Sequence, residues 1–448
     1  ALTTLLARER GLIVYISPLK ALINDQFGRL ELMCEDLKIP VHPFHGDVSA
    51  SKKVKFKKSP SGVLLITPES IEAMMVRNGS QVAAVFSETL YVVIDELHAF
   101  IGSERGKQLQ CLLARIDQAI GRSPPRIGLS ATLGELRLAA EFMRPGGGEE
   151  CALVDTSGGG ANLQMLVKGY LRPAVPTREE MAALADAAAK GAPPSMDEDE
   201  APTFPPNLVR DIYKVTRDSN NLIFPNARAM VETLTYSLNQ LCEDDGLPHV
   251  YFPHHGSLSK DIRETTEREL KMGEGGANGV CTNTLELGID IGPIKAVIQV
   301  GAPPAVASLR QRLGRSGRRG DEPAILRGFI VENELPPQAP LEPRLRLEVF
   351  RHVAMIELLI EGWVEPPSVH ALHLSTLVQQ VLSVITQKGG IRAGPLYKLL
   401  CGAGRPFSAV TPEIFAELLR VLGYGELIEQ SPGGDLLLGA KGERIVEH

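Results

Sequence analysis

The sequence predicts an α/β protein: two tandem parallel-sheet lobes followed by a small helical unit that ends in a hairpin. Three observations predict this. Short apolar runs rich in Val and Ile alternate with longer amphipathic stretches, and runs apolar on both faces suit parallel strands covered by helices. The order of those runs repeats in the second half of the chain. Beyond Pro366-Pro367, where a helix cannot continue, the pattern changes to helices and one hairpin.

In the first lobe, residues 1–172, the strand runs are LIVYIS (12–17), VLLIT (63–67), YVVID (91–95) and RIGLS (126–130). Helical patterns such as EAMMVRNGSQVAAVF (72–86) and GKQLQCLLARIDQAI (106–120) lie between them. A second lobe, residues 207–340, has NLIF (221–224), HVYF (249–252), GVCT (279–282), AVIQV (296–300) and GFIV (328–331). VHPFHGD, a charged helix and GVLLITPES in the first lobe are echoed by VYFPHHGSLS, the charged DIRETTERELK and GVCTNTLELG in the second. Such an echo is an internal repeat too long for a solenoid, although βαβ units share a general likeness.

Residues 173–206 combine Ala, Pro and an acidic cluster and bury little apolar surface, the composition of a mobile linker or insertion. LRLEVFRHVAMIELLIEGW (345–363) has helical periodicity and reads as a connecting helix over 341–366. In residues 367–448 a helix spans about Leu372 to Lys388, a short one follows Gly394-Pro395, and a third starts at Thr411-Pro412-Glu413. That start offers an N-cap, a proline at the first helical position and an acid in the first turn. ELIEQ-SPGG-DLLLG (426–439) is a hairpin through a Gly-containing loop. Three helices and a hairpin suit a winged helix, and equally another small α+β packing.

Composition narrows the function classes. The chain has 448 residues, and Lys+Arg 47 against Asp+Glu 54 gives 47 − 54 = −7. No global basic field marks a nucleic-acid partner, so such a partner must be bound locally. With 44% hydrophobic and 23% charged residues, wholesale disorder and a fibrous repeat are excluded. The six cysteines form no C-x-x-C pair, which argues against a zinc site or disulfide framework and for a reducing compartment. No apolar run approaches the roughly 20 residues of a membrane span, and ALTTLLARERGLIVYIS has charges where a signal peptide needs an apolar core. A cytoplasmic protein is expected.

The motifs supply the chemistry. VVIDELH (92–98) delivers Asp95 and Glu96 to the carboxyl end of a strand, where ligands gather in open α/β sheets. Such a pair suits phosphoryl transfer: Asp95 can hold Mg²⁺ through water and Glu96 can orient and deprotonate the attacking water. Strands ending in exposed acids are also common without function. SAT (130–132) ends the next strand with two hydroxyls. QRLGRSGRR (311–319) presents Arg312, Arg315, Arg318 and Arg319 among glycines. Arginines spaced by three share a helical face, where a guanidinium can clamp a γ-phosphate. An Arg-rich run alone could be a solvated face, but its coincidence with DELH and SAT speaks against that.

The ordered set SPLKAL (17–22), TPES (67–70), DELH (95–98), SAT (130–132), LIFPNAR (222–228), TNTLELGIDIG (282–292) and QRLGRSGRR (311–319) resembles the motifs of superfamily 2 helicases. HHGSLS (254–259) and LELGIDIG are most similar to the large-helicase-related, Lhr-type family, and VASLRQRLGRSGRR is also similar to MrfA-type repair helicases. The resemblance implies two RecA-like lobes followed by a winged helix. It implies an ATP- and Mg²⁺-dependent motor on single-stranded or partly duplex nucleic acid, DNA more than RNA, moving 3′ to 5′ and serving repair. It further implies that Asp95 and Glu96 are the metal-holding and water-activating pair, with Asp95 the metal residue, and that Arg315 and Arg318 reach the γ-phosphate. His98, Ser130 and Thr132 match coupling positions, and Gly288, Asp290 and Gln311 nucleotide-contacting ones. Ser17, Pro18, Lys20, Thr67, Arg228 and Thr282 match positions that touch the nucleic-acid strand; His255 could be a loop contact or a turn residue.

One departure stands out. The phosphate-cradling loop G-x-x-x-x-G-K-[ST] does not occur in the sequence, and ALTTLLARERG looks like the helix that follows it. The loop is therefore expected upstream of Ala1. The alternative is a nucleic-acid-binding scaffold or regulator whose ATPase has decayed and which works through the winged helix.

Overall fold

The computed structural model describes residues 1–8, 10–131, 133–155, 162–172, 204–273, 276–286, 288–317, 322–369 and 371–447. They divide into two compact units, Ala1–Asp155 with Pro366–His448, and Thr156–Glu365.

In the first unit, β1 (Leu12–Ile16), β2 (Val41–Phe44), β3 (Gly62–Ile66), β4 (Thr89–Ile94) and β5 (Arg126–Gly128) form a sheet ordered β2-β3-β1-β4-β5, with every neighbouring pair parallel. The helices are α1 (Leu2–Leu6), α2 (Lys20–Glu35), α3 (Ala50–Lys58), α4 (Pro68–Arg77), α5 (Val82–Phe86), α6 (Glu104–Ile120) and α7 (Leu136–Met143). Leu12, Val14 and Ile16 join a core with Phe86, Leu109 and Leu112, whereas Ile13 joins Leu5, Val63 and Val93 on the opposite side. That two-sided burial is why the strand runs read as continuously apolar. At the start of β3, Gly62 has φ +84° and a Cβ there would meet the Pro40 carbonyl at 2.0 Å, so only glycine fits. The helix expected over 72–86 is broken: α4 ends at Arg77 with Asn78 as its C-cap, a single 3₁₀ turn follows, and α5 starts at Val82. Asn78-Gly79 supplies the breaker.

In the second unit, β6 (Leu163–Arg172), β7 (Asn221–Pro225), β8 (Tyr251–His254), β9 (Asn278–Cys281), β10 (Ala296–Val300) and β11 (Ala324–Asn333) form a sheet ordered β6-β11-β10-β7-β9-β8, all parallel. Its helices are α8 (Pro206–Thr216), α9 (Arg228–Asp244), α10 (Lys260–Met272), α11 (Val306–Leu313), α12 (Leu341–Arg344) and α13 (Leu347–Ile360). Two expected boundaries are corrected. Leu163–Arg172, assigned by sequence to the first lobe, is the edge strand of this second sheet, paired with β11 over its whole length. The helix expected as a connector over 341–366 is built into the lobe as well. His352 of α13 is fully buried against Gly328 of β11, and the Glu365 carboxylate accepts from the N–H groups of Val306 (2.7 Å) and Ala307 (3.0 Å), capping α11. Of the linker, residues 173–203 lie outside the described residues, and Phe204 is already part of the second core.

Residues beyond Pro366 form α14 (Leu374–Lys388), β12 (Ile391–Arg392), α15 (Ala393–Leu400), α16 (Pro412–Tyr424), β13 (Ile428–Gln430), β14 (Asp435–Leu438) and α17 (Ala440–Glu447), with an antiparallel sheet ordered β12-β14-β13. Thr411 caps α16, accepting from the Ile414 N–H, and the hairpin is β13 with β14. Helix α14 packs against α4 and α6. There a buried polar cluster joins the two parts of the unit: Arg115 of α6 donates to Glu72 of α4 (2.9 Å), Gln380 (3.0 Å) and Gln387 (2.9 and 2.7 Å) of α14. Glu72 also accepts from Gln108 (3.0 Å), Gln380 (2.5 Å) and Ser383.

Candidate functional site

In the first lobe, β4 ends beside β1, with the Asp95 N–H donating to the Ile16 carbonyl (2.9 Å). Asp95 accepts from the Glu96 N–H (2.9 Å) and from the Tyr15 hydroxyl, whose pKa is raised by burial and by the Asp95 and Glu96 charges. Glu96 takes a left-handed backbone, φ +48°. Non-glycine residues rarely adopt it, and here it turns the chain sharply at the strand's end. His98 lies 3.6 Å from the Glu96 carboxylate through Nε2, and its Nδ1 is 3.0 Å from Ser130 Oγ at the end of β5. Burial pushes the His98 imidazole down to about 4, so it is neutral near pH 7. The structure therefore brings Asp95, Glu96, His98 and Ser130 into one connected group. Thr132 lies outside the described residues.

No cluster of three or more His, Cys, Asp or Glu suited to a metal occurs among the described residues. Mg²⁺ needs none: it is held by one or two carboxylates, waters and substrate phosphates. The half-buried Asp95 carboxylate, oriented by Tyr15 and the Glu96 amide, fits that requirement.

The expected strand-contacting residues of this lobe separate. Ser17 and Pro18 are buried, and Ser17 Oγ is without a hydrogen-bond partner among the described residues, so neither side chain faces solvent as expected. Thr67 is 4% exposed and caps α4, accepting from the Ser70 N–H at 3.3 Å. Lys20 alone of these projects outward, pairing with Asp47 at 3.1 Å.

In the second lobe, Arg228 at the start of α9 and Thr282 at the end of β9 line one cleft of about 630 Å³ with Asn226, Gly256, Asn283 and Arg351. Arg228 donates to Ser257 Oγ (2.7 Å), and Arg351 of α13 reaches the Pro303 carbonyl (3.5 Å). His255 is 2% exposed and pairs with Glu232 (3.1 Å), which makes it an anchor of the loop carrying Ser257 rather than a contact. Asp290 lies 3.4 Å from Lys271. Gln311 is half-buried on α11 and Gly288 lies half-buried in the loop after β9.

The arginine motif departs from expectation. Arg312 is buried, bonded to Glu286 (3.0 Å) and Gln299 (2.7 Å) and 4.6 Å from the Phe224 ring centroid. Arg315 is 5% exposed and donates to the backbone carbonyls of Glu286 (3.2 and 2.7 Å) and Ile289 (3.0 Å). It thus holds the loop of Gly288 and Asp290 in place rather than offering a free guanidinium. Arg318 lies outside the described residues. Sequence reasoning missed Tyr15, Arg351 and Glu365. Arg351 sits in a helix whose periodicity marks only packing, and Tyr15 reads as one more apolar strand residue.

Residues 1–139 match the DEAD/DEAH box helicase family and residues 205–320 the helicase conserved C-terminal domain. With both domains in this order, the chain belongs to the superfamily 2 helicases. Within it the relatives are of Lhr type: the Lhr helicase/uracil glycosylase of Escherichia coli is 28% identical over 84% of this chain and 25% of that protein. The ATP-dependent helicase Lhr-Core of Methanothermobacter thermautotrophicus is 32% identical over 72% of this chain and 36% of its own length. A solved structure of Mycobacterium smegmatis helicase Lhr bound to ssDNA and AMP-PNP superposes with a TM-score of 0.76, at 26% identity, over 99% of this chain and 55% of that one. The DNA-bound helicase MrfA shares the fold, with a TM-score of 0.66 at 20% identity over 98% of this chain and 55% of that one. The chain thus spans only a quarter to about a third of the length of these two curated relatives.

Proposed function

We propose that the protein is an ATP-dependent DNA helicase or translocase, advancing 3′ to 5′ along a single strand in DNA repair. The observation that carries the proposal is the connected group at the end of β4 and β5: an acid pair in which Glu96 sits beside a neutral His98 that is itself bonded to Ser130. Asp95 would hold the Mg²⁺ that neutralises the nucleotide phosphates. Glu96 orients a water and takes its proton, and His98, neutral because buried, relays the carboxylate's position to Ser130 and the SAT segment. Arg318 is proposed to stabilise charge on the γ-phosphate, with Arg315 as the residue that positions the loop of Asp290.

Arg228, Thr282 and Arg351 are proposed to hold the sugar-phosphate backbone in the second-lobe cleft, with Lys20 as the first-lobe contact. Such contacts are sequence-tolerant and salt-sensitive. The solved Lhr and MrfA structures, each bound to DNA, support DNA as the partner. The helix, strand, helix, helix, hairpin order from α14 to β14 supports a winged helix over 367–448. Six free cysteines support a reducing, cytoplasmic setting, and no helix among the described residues is long and apolar enough to cross a membrane.

The test is ATP turnover by the full-length protein with and without single-stranded DNA, beside displacement of a strand from duplexes tailed 3′ or 5′. Stimulated turnover with displacement from the 3′-tailed substrate supports the proposal. DNA binding without turnover favours the scaffold reading.

A further inference from the structure

Helix α3 (Ala50–Lys58) has a charge that the motor reading does not use. Its sequence ASKKVKFKK has five lysines and no acid, 5 − 0 = +5, in a chain of net −7. The topologically equivalent helix of the other lobe, α10 (Lys260–Met272), follows the corresponding loop but balances four bases against four acids, 4 − 4 = 0. The difference between the two is therefore not a demand of the fold.

Phe56 anchors α3, buried against Phe44 with ring centroids 6.0 Å apart. Lys53 lies over the Phe44 ring at 5.6 Å and Lys57 donates to Asn78 at 2.6 Å. The remaining three, Lys52, Lys55 and Lys58, recur every third residue and are all exposed, which places them along one side of the helix. None of the five forms an ion pair among the described residues. Like charges so spaced destabilise a helix by roughly 0.2 to 0.5 kcal/mol per pair, a cost offset only in part at the last turn by the helix dipole. The first turn of α3 follows in the chain the loop of Asp47, which pairs with Lys20, the outward-facing lysine of the first lobe. From Lys52 to Lys58 it runs about 9 Å, between two and three phosphate steps of about 3.4 Å along one strand of a duplex.

We propose that Lys52, Lys55 and Lys58 form a second phosphodiester-binding ridge, which grips nucleic acid beyond the segment held at Lys20. This rests on the nucleic-acid reading above. The experiment replaces all three with Gln in the full-length protein, removing the charges while keeping a polar side chain of similar helix propensity, and measures affinity against salt for single-stranded DNA and for a 3′-tailed duplex. The expected result is a salt slope lower by about 2 to 3, with the maximal ATP rate at saturating DNA unchanged. Loss on the tailed duplex alone assigns the ridge to the duplex arm; loss on both assigns it to the strand. Unchanged slopes on both, with a lower melting temperature, would overturn the ridge in favour of a helix-dipole role. Unchanged slopes without that shift would overturn it too. Wild-type protein that binds neither DNA would instead refute the motor reading, and the ridge with it.

Discussion

Replacing Arg115 by Met would leave the Glu72 carboxylate buried without its cation. Both side chains are almost out of solvent, 2% exposed for Arg115 and 8% for Glu72. Burial alone would raise the Glu72 pKa, and Arg115 with Ser383, Gln108 and Gln380 pulls it below the ordinary carboxylate value instead. The substitution removes the charge and four donated bonds, of which those to Gln380 and Gln387 also tie α14 to the first lobe. Removing one partner of a buried pair costs about 3 to 5 kcal/mol. At roughly 2 to 4 °C per kcal/mol for a unit of this size, the melting temperature of the first unit should fall by on the order of 10 °C. The double change Glu72→Gln with Arg115→Met removes both charges and should recover a large part of that loss, giving a coupling energy well above 1 kcal/mol in a double-mutant cycle. Equilibrium unfolding of the four proteins measures it, with limited proteolysis around residues 389–411 reporting release of α14. Additive effects, or a loss below about 1 kcal/mol for Arg115→Met, would refute the view that this pair joins α14 to the lobe.

Arg228→Ala and Arg351→Ala should each weaken strand binding and lower the salt slope by about 1, read by titration at two or more salt concentrations, with little change in ATP rate at saturating DNA. Arg318→Ala should cut turnover by on the order of 10³ while barely altering strand affinity; Arg315→Ala should lower both turnover and the melting temperature of the second unit, because the loop bearing Asp290 loses its anchor. His98 has a folded value near 4 against 6.5 unfolded, so the unfolded state takes up the proton first as pH falls. Its contribution is intact above about 6.5 and is lost progressively down to 4, by about 3 kcal/mol in all. The unfolding free energy of His98→Asn should therefore fall less over that window than that of wild type.

Much of the fold was legible because parallel strands covered on both faces leave continuous apolar runs, as at β3 and β10. The acid pair of β4 was legible for the related reason that a strand must end before it can expose charges. What escaped was non-local. Nothing in LQMLVKGYLR shows that β6 pairs with β11 some 160 residues on, because an edge strand with only Tyr170 buried carries no pattern that names its partner. The role of Arg315 escaped likewise, since its partners are backbone carbonyls that carry no sequence signal. Ser17 and Lys20 share a motif, yet burial separates them, and burial is set by packing that spacing does not record.

The most direct test of the motor reading is Glu96→Gln in the full-length protein, with ATP affinity and DNA-stimulated turnover measured side by side. The amide keeps the shape of the carboxylate but cannot take a proton from water. Turnover should nearly vanish while ATP and DNA still bind, a loss confined to the transition state. Turnover within a few-fold of wild type, or equal loss of ATP binding and turnover, would contradict the assignment of Glu96 as the group that activates water.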